Sequence, residues 1–243
     1  MRSELLAAAK DIRAERYSDS EVAFLAGSLV RREGTATSDL DIVVIYGALP
    51  NAYRESFRFG PWPVEAFVHD SATLKYFFNE VDRSSGIPSL ASMVSEGLEV
   101  PESTELSRSL KQQATSALAD GPSLWSQDEV DGSRYLITSL VDDLREPRSI
   151  EECTASATRL YEALANYYFR SRGLWSAHDK TIPRRLNQID PDFCARFVHS
   201  FSDLFRGGDA GGVIDLAEEV LSPQGGWLFE GFTSTAPARW RST

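Results

Sequence analysis

Two short apolar runs, VAFLA at 22–26 and LDIVVIY at 40–46, frame the stretch that most constrains this chain. Both are dense in β-branched or large apolar residues, and the first is apolar throughout, as suits strands buried on both faces. The first run ends in Gly27-Ser28, and the second is entered through Asp39 and Asp41. Residues two apart on a strand project to the same face, so these two carboxylates point together. Two aligned carboxylates beside a run as apolar as IVVIY need a counter-charge, and a divalent cation with oxygen ligands supplies one. The stretch reads as a site for a metal ion and a nucleotide.

A third carboxylate lies further along. Residues 53–59 and 62–69 read as two strands around the tight connection Gly60-Pro61. In WPVEAFVH, Pro63, Glu65, Phe67 and His69 share one face, and Val64, Ala66 and Val68 share the other. Glu65 is then an acid inside an apolar strand, a costly place for a charge unless it is paired. Three convergent carboxylates can hold two magnesium ions and leave room for phosphate oxygens and water. Two such ions about 4 Å apart clamp the attacking and leaving oxygens of an in-line displacement at phosphorus. Gly27 lets a phosphate approach the backbone closely. A helix starting at Ser28 would aim its free N–H groups and positive dipole end at that phosphate, and Ser28 adds a hydroxyl.

The remaining elements follow from periodicity and punctuation. Residues 3–16 form an amphipathic helix with Leu5, Leu6, Ala9 and Ile12 inward. Ser71 is the expected cap of a helix over 72–83. A Gly/Pro/Ser-rich passage, 84–104, holds one short helix and places a domain boundary near residue 101. Beyond it the pattern is helical: 104–119, a Ser126/Glu129 capping box opening a helix to 145, and a Ser149/Glu152 box opening a long one. Two further helices cover 182–188 and 191–205, and a last one has its apolar core at 213–221. The expected fold is α+β: a small mixed sheet with flanking helices over 1–100, then an all-helical domain over 101–243, with the site in the cleft between them.

Charge and composition exclude several classes. A net charge of -11 argues against broad binding to a nucleic-acid backbone, so no nucleic acid partner is expected. No run approaches the ~18 apolar residues of a membrane span, and the charged N-terminus is no signal peptide. Cys153 and Cys194 are far apart and read as a reduced, buried pair. A cytoplasmic protein is expected.

GSLVRREGTATSDLDIVV resembles the signature of the DNA polymerase β superfamily of nucleotidyltransferases. In that signature a Gly and a Gly or Ser are followed some ten residues later by Asp-hydrophobic-Asp/Glu-hydrophobic. Gly27 and Ser28 match the first part, Asp39-Leu40-Asp41-Ile42 the second, and Glu65 fits the third carboxylate on a later strand. The layout, a minimal core followed by a helical half, looks most like the small-molecule members of the kanamycin nucleotidyltransferase and aminoglycoside adenylyltransferase type. The resemblance implies that Asp39 and Asp41 bind two Mg²⁺ ions, and that Glu65 ligates one of them or accepts the acceptor's proton. It implies that Ser28 and the amides after Gly27 hold a nucleoside triphosphate, ATP above all. An acceptor hydroxyl would then take a nucleoside monophosphate and release pyrophosphate. The partners implied are the triphosphate and a small-molecule acceptor, and family members can complete a site across a homodimer. A protein-modifying adenylyltransferase and a non-catalytic nucleotide-binding module are the alternatives.

Other residues are weighed beside these. Arg31 and Arg32 either reach the triphosphate or are solvated helix charges. Lys180, in the polar run AHDKTIPRRL, either touches phosphate from the helical half or is solvated. Asp142 and Asp143 are consecutive on a helix, so at most one faces inward. His69, His178 and His199 have no metal-ligand spacing. The acidic balance favours a cationic acceptor, such as an aminoglycoside, through electrostatic steering.

Overall fold

The computed structural model describes residues 2–236 and 238–241. The chain divides into two compact units, 1–122 and 123–243.

The first unit opens with α1 (Arg2–Arg16), β1 (Val22–Ala26), the one-turn helix α2 (Gly27–Val30), β2 (Leu40–Tyr46), β3 (Tyr53–Phe59) and β4 (Trp62–Asp70). Helix α3 (Ser71–Tyr76) continues through a π-helical turn, Phe77–Asp82, into α4 (Arg83–Ser85). Next come α5 (Ser89–Glu96), β5 (Leu98–Val100) and α6 (Glu105–Asp120). The five strands form one mixed sheet in the order β3-β4-β2-β1-β5, with β2 and β4 parallel and the other neighbours antiparallel.

Both faces of this sheet are covered, which is why its central strands lack polar alternation. On one face α1 brings Leu5, Ala9 and Ile12 against Leu25, Ile42, Val44 and Ala66. On the other, Leu74, Phe78, Val94, Leu110 and Ala114 pack against Phe24, Val43 and Ile45. Leu110 and Ala114 belong to α6, so this helix completes the core of the first unit. The expected boundary near residue 101 therefore moves to 122/123. The Gly/Pro-containing passage that suggested a linker instead carries α5 and the edge strand β5, whose three residues, Leu98-Glu99-Val100, are too few for a periodic signal.

A smaller difference lies at the start of α3. Its cap is Asp70, not Ser71: the Asp70 carboxylate accepts from the Thr73 amide at 2.8 Å, and the Thr73 hydroxyl accepts from the Asp70 amide. Asp70 also accepts from the Leu49 amide at 3.0 Å, so one carboxylate ties the helix start to the loop after β2.

The second unit comprises α7 (Gln127–Arg145), α8 (Ile150–Arg170), α9 (Ile182–Ile189), α10 (Pro191–Gly207) and α11 (Gly211–Leu221). The Ser126/Glu129 capping box is present, and Ser149 caps α8 by accepting from the Glu152 amide. Phe193, Phe197 and Phe201 are spaced four apart on α10 and fully buried. Tyr161 stands edge-on to Phe197 and Phe201, and Tyr168 stacks on Phe193. Cys153 and Cys194 are buried and free. Among the described residues no helix is long and apolar enough to cross a membrane.

Candidate functional site

Strand register assembles the three carboxylates. Asp41 on β2 stands between Ala26 of antiparallel β1 and Glu65 of parallel β4. Asp39 precedes the strand by one residue and lies two before Asp41, which keeps it on the same side. Asp39, Asp41 and Glu65 are all partly buried, and each offers an oxygen within 4.8 Å of the other two. Their shared face is continued by Val43 with Phe67 and by Ile45 with His69, which are paired by the same register. The apolar part of that face is core, so the acids sit where the core ends.

The backbone of Gly27 is fitted to this cluster. It has φ +78°, and a Cβ built on it would lie 1.8 Å from the Asp41 Oδ2. No other residue type leaves room for that carboxylate. The Asp41 carboxyl is pushed up to about 6, first by burial and then by the like charges of Asp39 and Glu65. Arg31 and Arg54 offset this in part. A group held in that state gains from any cation brought to it.

The donor set fits a hard divalent ion. All three groups are carboxylates, and opposite oxygens of an octahedral magnesium stand about 4 Å apart, within the 4.8 Å spread of these oxygens. With no softer ligand in the cluster, magnesium or manganese suits it better than zinc.

The other expected residues fall in different places. Ser28 is half-buried at the start of α2, with its hydroxyl 3.4 Å from that of Ser38. Arg31 closes α2 and pairs with Glu33 at 3.2 Å and Glu96 at 3.3 Å, so its guanidinium is held beside the site by ion pairs. Arg32 is exposed in the following loop, in the left-handed region at φ 62°. Lys180 is exposed on the turn Asp179–Thr181 in the second unit and is not among the groups that the first unit brings together. Asp142 and Asp143 are both exposed, bonded to Arg145 and Ser156 respectively. His69 is buried against Phe77 and bonded to Thr73, and burial pushes its imidazole down to about 4, so it stays neutral. His178 and His199 pair with nearby acids on the surface.

One residue of the site escaped sequence reasoning. Arg54 on the edge strand β3 pairs with Glu65, Nη2 to Oε2 at 2.5 Å. It is in register with Phe67, and its guanidinium lies 4.9 Å from the centre of that ring. The available signal was alternation: Arg54, Ser56 and Arg58 occupy one face of β3, the face shared with their cross-strand partners Phe67, Glu65 and Pro63. A cavity of about 330 Å³ elsewhere in this unit is lined by Lys75, Asn79, Gln112, Gln113 and Asp120 among others, and none of the site residues contributes to it.

No protein-family model matches the chain, and no curated protein matches it. Among solved structures it is similar to a protein from Exiguobacterium sibiricum described as nucleotidyltransferase-like. The two share 15% identity over 90% of this chain and 75% of that one, with a TM-score of 0.44.

Proposed function

We propose that the first unit is a metal-dependent nucleotidyltransferase that moves a nucleoside monophosphate from a triphosphate to the hydroxyl of a small-molecule acceptor. One observation carries the reading: three carboxylates on two register-paired strands converge within 4.8 Å beside a glycine that leaves space for one of them. Asp39 and Asp41 are the residues to hold two magnesium ions, with Glu65 ligating one or taking the acceptor's proton. Bound there, the ions neutralise charge on the phosphates and acidify the acceptor hydroxyl. The Ser28 hydroxyl and the backbone after Gly27 orient the triphosphate so that the hydroxyl lies in line with the bond to pyrophosphate. The new bond joins the acceptor oxygen to the α-phosphorus, pyrophosphate leaves with the bonding pair, and the hydroxyl proton goes to Glu65 or water. ATP is the first nucleotide to try, and the net charge of -11 favours a cationic acceptor.

The test is incubation with each α-labelled triphosphate, Mg²⁺ and pooled acceptors, using Asp39→Ala/Asp41→Ala as control. Label is expected on an acceptor with the wild-type chain alone. Equal labelling by the double variant would overturn the reading.

A further inference from the structure

The pairing of Arg54 with Glu65 has a consequence for how the site loads. Glu65 is the most peripheral of the three acids in the sheet, on β4 next to the edge strand. The Arg54 side chain, 58% exposed, reaches it diagonally across the antiparallel β3/β4 pair, from the position opposite Phe67. A carboxylate oxygen engaged by a guanidinium at 2.5 Å has less lone-pair density to give a metal ion, and a +1 group so near repels a +2 ion. In the same position the guanidinium lies over the face of the Phe67 ring, a contact that does not depend on Glu65 and so keeps the side chain near the site when the carboxylate is taken.

We propose that Arg54 is a built-in counter-ion that competes with the divalent cation for Glu65, and that its release couples cation binding to triphosphate binding. The proposal rests on the nucleotidyltransferase reading for the identity of the second ligand. In the resting chain the guanidinium occupies Glu65 and lowers the repulsion among the three acids. When a cation takes the Glu65 oxygen, the arginine swings off on its flexible stem and meets the negative charge of the incoming phosphates. Each ligand then lowers the cost of binding the other, and the coupling is the same in both directions. Arg31 is a poorer candidate for this role, because Glu33 and Glu96 hold it.

Mn²⁺ binding, read by electron paramagnetic resonance of the free ion, tests this without turnover. Arg54→Gln is expected to bind Mn²⁺ alone more tightly than wild type, by roughly two- to five-fold, the worth of one partly exposed ion pair. In a Glu65→Gln background the same change is expected to have a clearly smaller effect on Mn²⁺ affinity, since only the charge repulsion between Arg54 and the ion is left to remove. With a non-hydrolysable α,β-methylene triphosphate present, wild type is expected to gain Mn²⁺ affinity and Arg54→Gln to gain several-fold less. Unchanged or weaker Mn²⁺ binding by Arg54→Gln overturns the proposal, as does an equal gain with the triphosphate in both proteins. Wild type that binds Mn²⁺ through Asp39 and Asp41 but ignores Arg54→Gln sinks this inference alone. Failure of Asp39→Ala/Asp41→Ala to weaken Mn²⁺ binding sinks the nucleotidyltransferase reading as well. Circular dichroism of each variant confirms that the exposed substitution leaves the fold intact.

Discussion

The first unit crowds partly buried like charges in one place, and the second, among its described residues, does not. In the second, each deeply placed cation is tied to backbone: Arg134 donates to the Gly226 carbonyl at 2.9 Å and pairs with Asp131, and Arg170 donates to the Ser123 carbonyl at 2.8 Å. Most of the remaining interior is apolar or aromatic, with Phe193, Phe197 and Phe201 at its centre. In the first unit three acids lie within reach of one another at the end of an apolar sheet, and burial together with the like charges pushes Asp41 up to about 6. Satisfied charges stiffen a fold, whereas crowded like charges destabilise it and are retained for what they bind. Charge burial thus separates a scaffold from a site.

The largest effect should come from removing that crowding. Asp41→Asn keeps the shape and deletes one charge. Nucleotidyl transfer is expected to fall on the order of 10³-fold or more, because several kcal/mol of charge stabilisation depends on the ions held there. Without divalent ions the same variant should be as stable as wild type or more so, read by urea midpoint, since a raised acid has been relieved. A variant that lost stability in metal-free buffer would mean that the carboxylate is structural, and the contrast between the units would collapse.

Phe197→Ala is the reciprocal probe. The side chain is fully buried between Tyr161 and its α10 neighbours. Its truncation should cost about 3–5 kcal/mol of stability. At a temperature where the variant remains folded, its Mn²⁺ affinity should match wild type. A changed affinity would show that the aromatic core does more than support its own unit.

Much of the first unit was legible because its signals were local. VAFLA, LDIVVIY and WPVEAFVH become β1, β2 and β4, and alternation within β4 put Glu65 on the correct face of the strand. Packing beyond the adjacent strand is not local, and that is where sequence fell short. The tight connection Gly60-Pro61 implies an antiparallel hairpin with Arg54 opposite Phe67, but register does not say that the long side chain reaches diagonally to Glu65, so the arginine on Glu65 was missed. For the same reason α6 was placed in the wrong half. Its buried stripe, Leu110, Ala114 and Ala117, fits any core, and only the sheet it lies on decides which. In the second unit caps and apolar stripes marked the helices well, but helical periodicity carries no ligand chemistry, so no acceptor could be read from it.

A finer probe compares two glycines of the first unit with similar backbone strain. Gly27 has φ +78° and Gly60 has φ +55°, but a Cβ at Gly27 meets Asp41 whereas one at Gly60 meets nothing within 4 Å. Gly60→Ala should cost only the left-handed penalty of about 1 kcal/mol. Gly27→Ala should cost roughly 3 kcal/mol, adding the displacement of a partly buried side chain, and should weaken Mn²⁺ binding. Equal losses in urea midpoints would mean that Asp41 moves aside freely and that the glycine is not fitted to it.

The most gradual expected effect concerns pH, and it separates a site acid from a structural acid within one unit. Asp82 is deeply buried and accepts from the Ala91 amide at 2.9 Å, capping α5, and burial raises its carboxyl to about 6, the same value as Asp41. An acid with a folded pKa above its unfolded one keeps its proton longer in the native state. Between pH ~4 and ~6 the unfolded chain has therefore lost the proton while the folded chain holds it, and stability falls as pH rises through that window, then levels off. Each group should contribute up to roughly 3 kcal/mol to the fall, from about two pH units at ~1.4 kcal/mol each. Asp82→Asn should remove one share whether or not Mg²⁺ is present. Saturating Mg²⁺ at pH 7 should restore the share of Asp41 and leave that of Asp82 untouched, because Asp82 has the α5 amides for partners instead of other carboxylates. If Mg²⁺ instead shifted stability equally at pH 4.5 and pH 7, the ion would be binding somewhere other than the crowded carboxylates.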